Sequence, residues 1–141
     1  MKVKASLPVS PHEALIYAMV TLAAADQAMT DNELMKIGDI VKTLPIFRDF
    51  DREGLVKAAE ACGAILQKEE GLDEILDVIA STLVPRLYET AYALAVEVAA
   101  ADLHVEQEEL RFLQLLRDRL DLDKLTVAAI EHSARVRYRT M

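Results

Sequence analysis

The sequence predicts an all-α fold, a single-domain bundle of about seven helices spanning residues 1–141. Three observations predict it. Helix-start signals stand before apolar runs of helical period. No stretch alternates apolar and polar residues with the period of two that a half-buried strand requires. Finally, 52% apolar residues with only four Gly and four Pro give a chain that can bury a core, which excludes a disordered or collagenous protein. At 141 residues it fits one domain.

The elements follow in order. Ser10, Pro11 and Glu13 supply an N-cap, the proline favoured at a first helical position, and the glutamate that closes a capping box. They open a helix running to about Ala25. Thr30 and Glu33 repeat the box and open a second helix with Leu34, Ile37, Ile40, Val41 and Leu44 at helical spacing, stopped by Pro45. Asp51 caps a third helix with Leu55, Ala59, Cys62 and Leu66 on one face. Gly71 precedes a short fourth helix with Leu72, Ile75, Leu76, Ile79 and Leu83 inward, and Pro85 starts a fifth over residues 86–101. A sixth covers residues 106–120 with Leu110, Leu113, Leu116 and Leu120 as its seam. Asp121 or Asp123 caps the last, which reaches toward Arg137.

Composition excludes several functions. A net charge of −8 argues against a nucleic-acid binder, whose footprint is basic. The single Cys62 excludes an internal disulfide and a Cys-based zinc site. The longest apolar run, residues 14–25, falls short of the roughly 20 residues of a membrane span, so no integral membrane segment is expected. Residues 1–10 carry no apolar stretch of signal-peptide type, and a cytoplasmic location follows as the expectation.

An internal repeat lifts the chain above this description. Ala23, Ala24, Ala25 and Asp26 recur as Ala99, Ala100, Ala101 and Asp102. At the same offset Met29 matches Val105, Glu33 and Leu34 match Glu109 and Leu110, and Ile37, Ile40 and Leu44 match Leu113, Leu116 and Leu120. The sequence thus divides into related helix–turn–helix copies at about residues 11–44 and 87–120, packed about an approximate two-fold axis with alanines where the first and fifth helices cross.

Each copy carries an Asp where one helix ends and a Glu one turn into the next. An Asp at a helix C-terminus opposes the macrodipole at a cost of about 0.3–1 kcal/mol, which calls for compensation. Two readings stand side by side. In one, Glu33 closes a capping box while Asp26 and Asp102 organise their turns through Asx-type hydrogen bonds. In the other, Asp26, Glu33, Asp102 and Glu109 ligate a divalent metal ion, with Asp31 and Glu106 as auxiliary acids. Carboxylates suit Ca²⁺ or Mg²⁺ rather than zinc. These turns are not EF-hands: counted from Asp26 the third, fifth and twelfth positions are Ala28, Thr30 and Ile37.

The doubled Ala-Ala-Ala-Asp tract, with Glu-Leu beginning seven residues after each Asp in an acidic helical chain, resembles the TerB-like tellurite-resistance family. That family carries an Asp-Gly turn followed by a hydrophobic residue and a Glu. Met29 and Val105 fill the hydrophobic position, whereas Gln27 and Leu103 stand in place of the glycine. The resemblance implies a seven-helix fold, no known catalytic activity, divalent metal association at the acidic turns, and a role in tellurite resistance and stress alongside protein partners at the membrane. Oligomeric state is left open.

The remaining candidates have plain readings. Cys62 is a small core residue; His12 and His132 lie at the surface; His104 faces water although it adjoins the acids of the second turn. Glu89 and Glu97 form an exposed stripe on the fifth helix. Arg135, Arg137 and Arg139 complement a helix C-terminus and then fray, or else meet acidic lipid headgroups. No phosphate loop, nucleophile elbow or HExxH motif is present, so an enzyme is not expected.

Overall fold

A computed structural model describes residues 9–25, 29–102 and 105–141. Among the described residues seven α-helices make up the bundle: α1 Pro11–Ala23, α2 Asp31–Thr43, α3 Gly54–Leu66, α4 Gly71–Thr82, α5 Tyr88–Ala101, α6 Gln107–Leu120 and α7 Lys124–Arg137. Short 3-10 turns at Pro45–Phe47 and Pro85–Leu87 precede α3 and α5. No strand occurs among the described residues.

α1 is the axle. Every residue from 14 to 23 is buried, because the helix is apolar all round and its neighbours cover it on every side. It packs most extensively on α5, then on α3 and α4. Ala14, Ala18 and Ala23 of α1 and Ala91, Ala95 and Ala99 of α5 are all buried, and small side chains let two helix backbones approach closely. The core closes with Ile37 from α2, Ile75, Leu76 and Ile79 from α4, and Leu116 from α6.

The capping boxes form as their sequences predict. Ser10 Oγ accepts from the Glu13 amide at 3.1 Å while Glu13 accepts from the Ser10 amide at 2.9 Å. Thr30 and Glu33 do the same at 3.2 and 2.8 Å. Asp123, not Asp121, caps α7 by accepting from the Thr126 amide. Asp121 instead ends α6 in the left-handed region at φ 52°.

Other expectations are corrected. α1 stops at Ala23 rather than Ala25. Asp51 accepts from the Glu53 amide and so organises the turn ahead of α3, which begins only at Gly54. Pro85 starts a 3-10 turn, and α5 follows from Tyr88. Leu72 and Leu44 lie near the surface instead of inward. On α6 the seam is Glu109, Phe112, Leu113, Leu116 and Leu120, while Leu110 is 55% exposed. His12 is not a plain surface residue: its Nε2 lies 2.8 Å from the Ile46 carbonyl oxygen and its ring packs on Phe47 and Phe50.

Glu97 is likewise no exposed stripe residue. It accepts hydrogen bonds from Arg137 at 2.7 Å and from the Tyr138 hydroxyl, and Lys36 stands 3.9 Å away. This knot joins α2, α5 and the end of α7, so Arg137 is held rather than frayed. Burial pushes the Glu97 carboxyl up, but the hydrogen bonds from Tyr138 and Arg137 and the charges of Arg137 and Lys36 outweigh it and hold it below its ordinary value of 4.5. A lowered folded value means that ionised Glu97 contributes stability present above pH 4.5 and lost as the pH falls through the folded value. Urea midpoints of wild type and Glu97→Gln should therefore differ at neutral pH and converge in acid. A gap that stays constant across that range would remove the ionised pair from the account.

Candidate metal centre

Two helix starts and one helix end build the site. Glu33 is the third residue of α2 and Glu109 the third of α6, each closing back on its N-cap: Glu33 Oε1 accepts from the Thr30 amide, and Glu109 Oε1 accepts from the Glu106 amide at 2.9 Å. Both carboxylates thus sit at the positive end of a helix dipole. Asp102 follows the last residue of α5, where the chain leaves the helix with extended backbone at ψ 115°.

The fold brings these three together. One carboxylate oxygen from each of Glu33, Asp102 and Glu109 lies within 4.8 Å of the others. Glu33 and Asp102 are half-buried, and Glu109 is only 2% exposed. Two ionised carboxylates at such a separation repel by about 3 kcal/mol at an effective dielectric near 20. Glu109 is bonded to the Glu106 amide, and a bound cation would offset the mutual repulsion of the three acids.

The donor set suits a hard cation. Oxygen ligands of Ca²⁺ stand 2.3–2.6 Å from the ion, so two on opposite sides are separated by roughly 4.6–5.2 Å and the observed spread spans one ion. Among the described residues no His or Cys joins the three acids, and an all-oxygen donor set suits Ca²⁺ or Mg²⁺ better than zinc. Of the four acids expected as ligands, Glu33, Asp102 and Glu109 converge, and Asp26 lies outside the described residues, as do Gln27, Leu103 and His104. Asp31 and Glu106 are exposed and stand outside the triad.

The burial of Glu109 is the feature that the misplaced α6 seam hides. Glu109 precedes Leu113 by four residues and Leu116 by seven, so it occupies the inward stripe. Glu33 has the same relation to Ile37 and Ile40. An acid in phase with the core positions of its own helix was the available signal.

Cys62 is fully buried in α3, and burial pushes its thiol up to about 11 against the Thr21 hydroxyl contact, at 3.3 Å, that works the other way. It is a core residue and no thiolate at neutral pH.

The model of the tellurite resistance protein TerB family matches residues 12–132. The chain belongs to the TerB family. The matched span takes in both acidic turns and almost all of the seven-helix bundle, so the converging acids lie within the TerB domain itself. No curated protein and no solved structure gives a significant match. Among the described residues of this TerB domain, no helix is long and apolar enough to cross a membrane.

Proposed function

We propose that this TerB-family chain is a non-enzymatic cytoplasmic binding protein in which Glu33, Asp102 and Glu109, joined by Asp26, hold one divalent cation. In this reading residues 11–44 and 87–120 are related hairpins, each lending its capping-box glutamate to a shared site. The protein acts in tellurite resistance and stress response through protein partners, including partners at the membrane surface. A chain of net charge −8 repels an oxyanion, so its part in resistance is indirect.

The observation that carries this reading is the meeting of three carboxylates from three helix ends, one of them buried. A second reading, a structural interaction module whose acids only cap helices, draws support from the capping hydrogen bonds that both glutamates make.

Thermal melts of chelator-stripped protein separate the two. At a hundredfold excess over its dissociation constant, Ca²⁺, Mg²⁺ or Mn²⁺ should add about 2.7 kcal/mol, or roughly 5–10 °C for a domain of this size. Asp102→Asn should abolish the shift. No shift with any ion, together with an Asp102→Asn variant less stable than wild type in chelator, would leave the capping reading alone standing.

A further inference from the structure

The other end of α2 carries a feature of opposite sign. Leu44 leaves the helix with extended backbone, Pro45 forbids its continuation, and the following 3-10 turn folds Phe47 beneath the helix end at 2% exposure. Beside this turn lies a groove of about 430 Å³. Val41, Leu44, Phe47 and Phe50 give it apolar walls, and His12, packed on both phenylalanines and bonded to Ile46, braces them from α1. Its charged lining is Lys42, Arg48 and Arg52, with no acid among the lining residues. All three cations are exposed, and among the described residues none takes part in an ion pair.

Helix-dipole complementarity accounts for Lys42, in the last turn of α2. It does not account for Arg48 or Arg52, which follow the helix. A second, smaller depression of about 280 Å³ continues past Lys42 and Arg52 to Leu55 and the exposed Met35, with Asp39 in its lining.

We propose that this groove docks an acidic peptide segment of a partner protein, its apolar side chains on Val41, Leu44 and Phe50 and its carboxylates on Lys42, Arg48 and Arg52. Charge complementarity selects the occupant, since these three cations gather around an apolar trough on a chain whose net charge is −8. A bilayer fits less well. An anionic membrane repels the protein as a whole, and three cations at about 1 kcal/mol each do not anchor it. A peptide lying in the groove meets Lys42, Arg48 and Arg52 at contact distance, where their charges outweigh those of the exposed Asp49 and Asp51, which alternate with the arginines along the turn but do not line the groove. The site is independent of the acidic triad, because Lys42 stands nine residues from Glu33, roughly 13 Å along the helix.

Fluorescence anisotropy on the full chain tests this with a fluorescein-labelled peptide of alternating glutamate and leucine or phenylalanine, against the same peptide with glutamine for glutamate. The glutamate peptide should bind in the range of about 1–100 μM. Arg48→Glu and Arg52→Glu should each weaken it about tenfold, and Lys124→Glu on α7 should not. In the wild type, raising the salt concentration should weaken binding. The proposal is overturned if the glutamate peptide does not bind, if the glutamine peptide binds equally, if the Arg variants bind as wild type does, or if affinity ignores salt. Capture by phosphatidylserine vesicles without peptide binding would overturn it in favour of a membrane.

Discussion

In chelator, Glu109→Gln should melt above the wild type, and at saturating divalent cation the order should reverse. The reason lies in the same three oxygens. Without an ion, the wild-type triad holds three carboxylate oxygens within 4.8 Å of one another, and two unit charges that far apart repel by about 3 kcal/mol at an effective dielectric near 20. Glutamine keeps an oxygen for the Glu106 amide, so the α6 start is preserved while a charge is removed from a position only 2% exposed. Burying its NH₂ group offsets part of the gain. A net rise on the order of 1 kcal/mol, about 2–4 °C, is expected. With cation, the wild type gains about 2.7 kcal/mol that the variant lacks. Glu33→Gln, at a more exposed position, should show the same crossover with smaller amplitude. A Glu109→Gln variant that melts below wild type in both conditions would show the carboxylate holding its turn together, with no ion involved.

The largest purely structural effect is expected at Gly71. The chain leaves α3 after Leu66, turns through hydrogen bonds from Lys68 to the Ile65 carbonyl and from Gly71 to the Lys68 carbonyl, and enters α4 directly. A Cβ on Gly71 would stand 2.8 Å from the Leu66 Cα and closer still to the Ile65 carbonyl oxygen. Both neighbours are backbone, so no side chain can swing away; the end of α3 and the start of α4 must separate. Gly71→Ala should cost about 3 kcal/mol or more, read as a lower urea midpoint. Gly63→Ala supplies the contrast. It lies inside α3 with nothing within 4 Å of its Cβ, and gaining helix propensity there should stabilise by about 0.5–1 kcal/mol. If Gly71→Ala falls within about 0.5 kcal/mol of wild type, the close approach of the two backbones is not what requires glycine there.

How far the chain was legible depended on the range of the interaction concerned. Ser10 with Glu13 and Thr30 with Glu33 form their boxes because a cap involves residues three apart, and four residues suffice to specify it. Pro45 and Pro85 end helical runs for an equally local reason, a missing amide and a fixed φ. The helix count and the all-α class are sums of such local rules.

Which face of each helix turns inward was less secure. A leucine seam through Leu110 has as good a period as the true one through Phe112 and Leu113; packing against α1, α4 and α5 decides between them. That choice also determines whether Glu109 lies in water or in the core. Glu97 and His12 show the same dependence: each looks exposed on its own helix, and each is claimed by a segment distant in the chain, Arg137 and Tyr138 for one and Ile46 for the other. Sequence alone determined the seven helices and the capping boxes at Ser10 and Thr30, because these depend on neighbours within a turn of one another. The tertiary structure alone decided that Glu33 meets Asp102 and Glu109, since no local rule brings the start of α2 to the junction of α5 and α6. Only the packing of α2, α5 and α6 around one core does that.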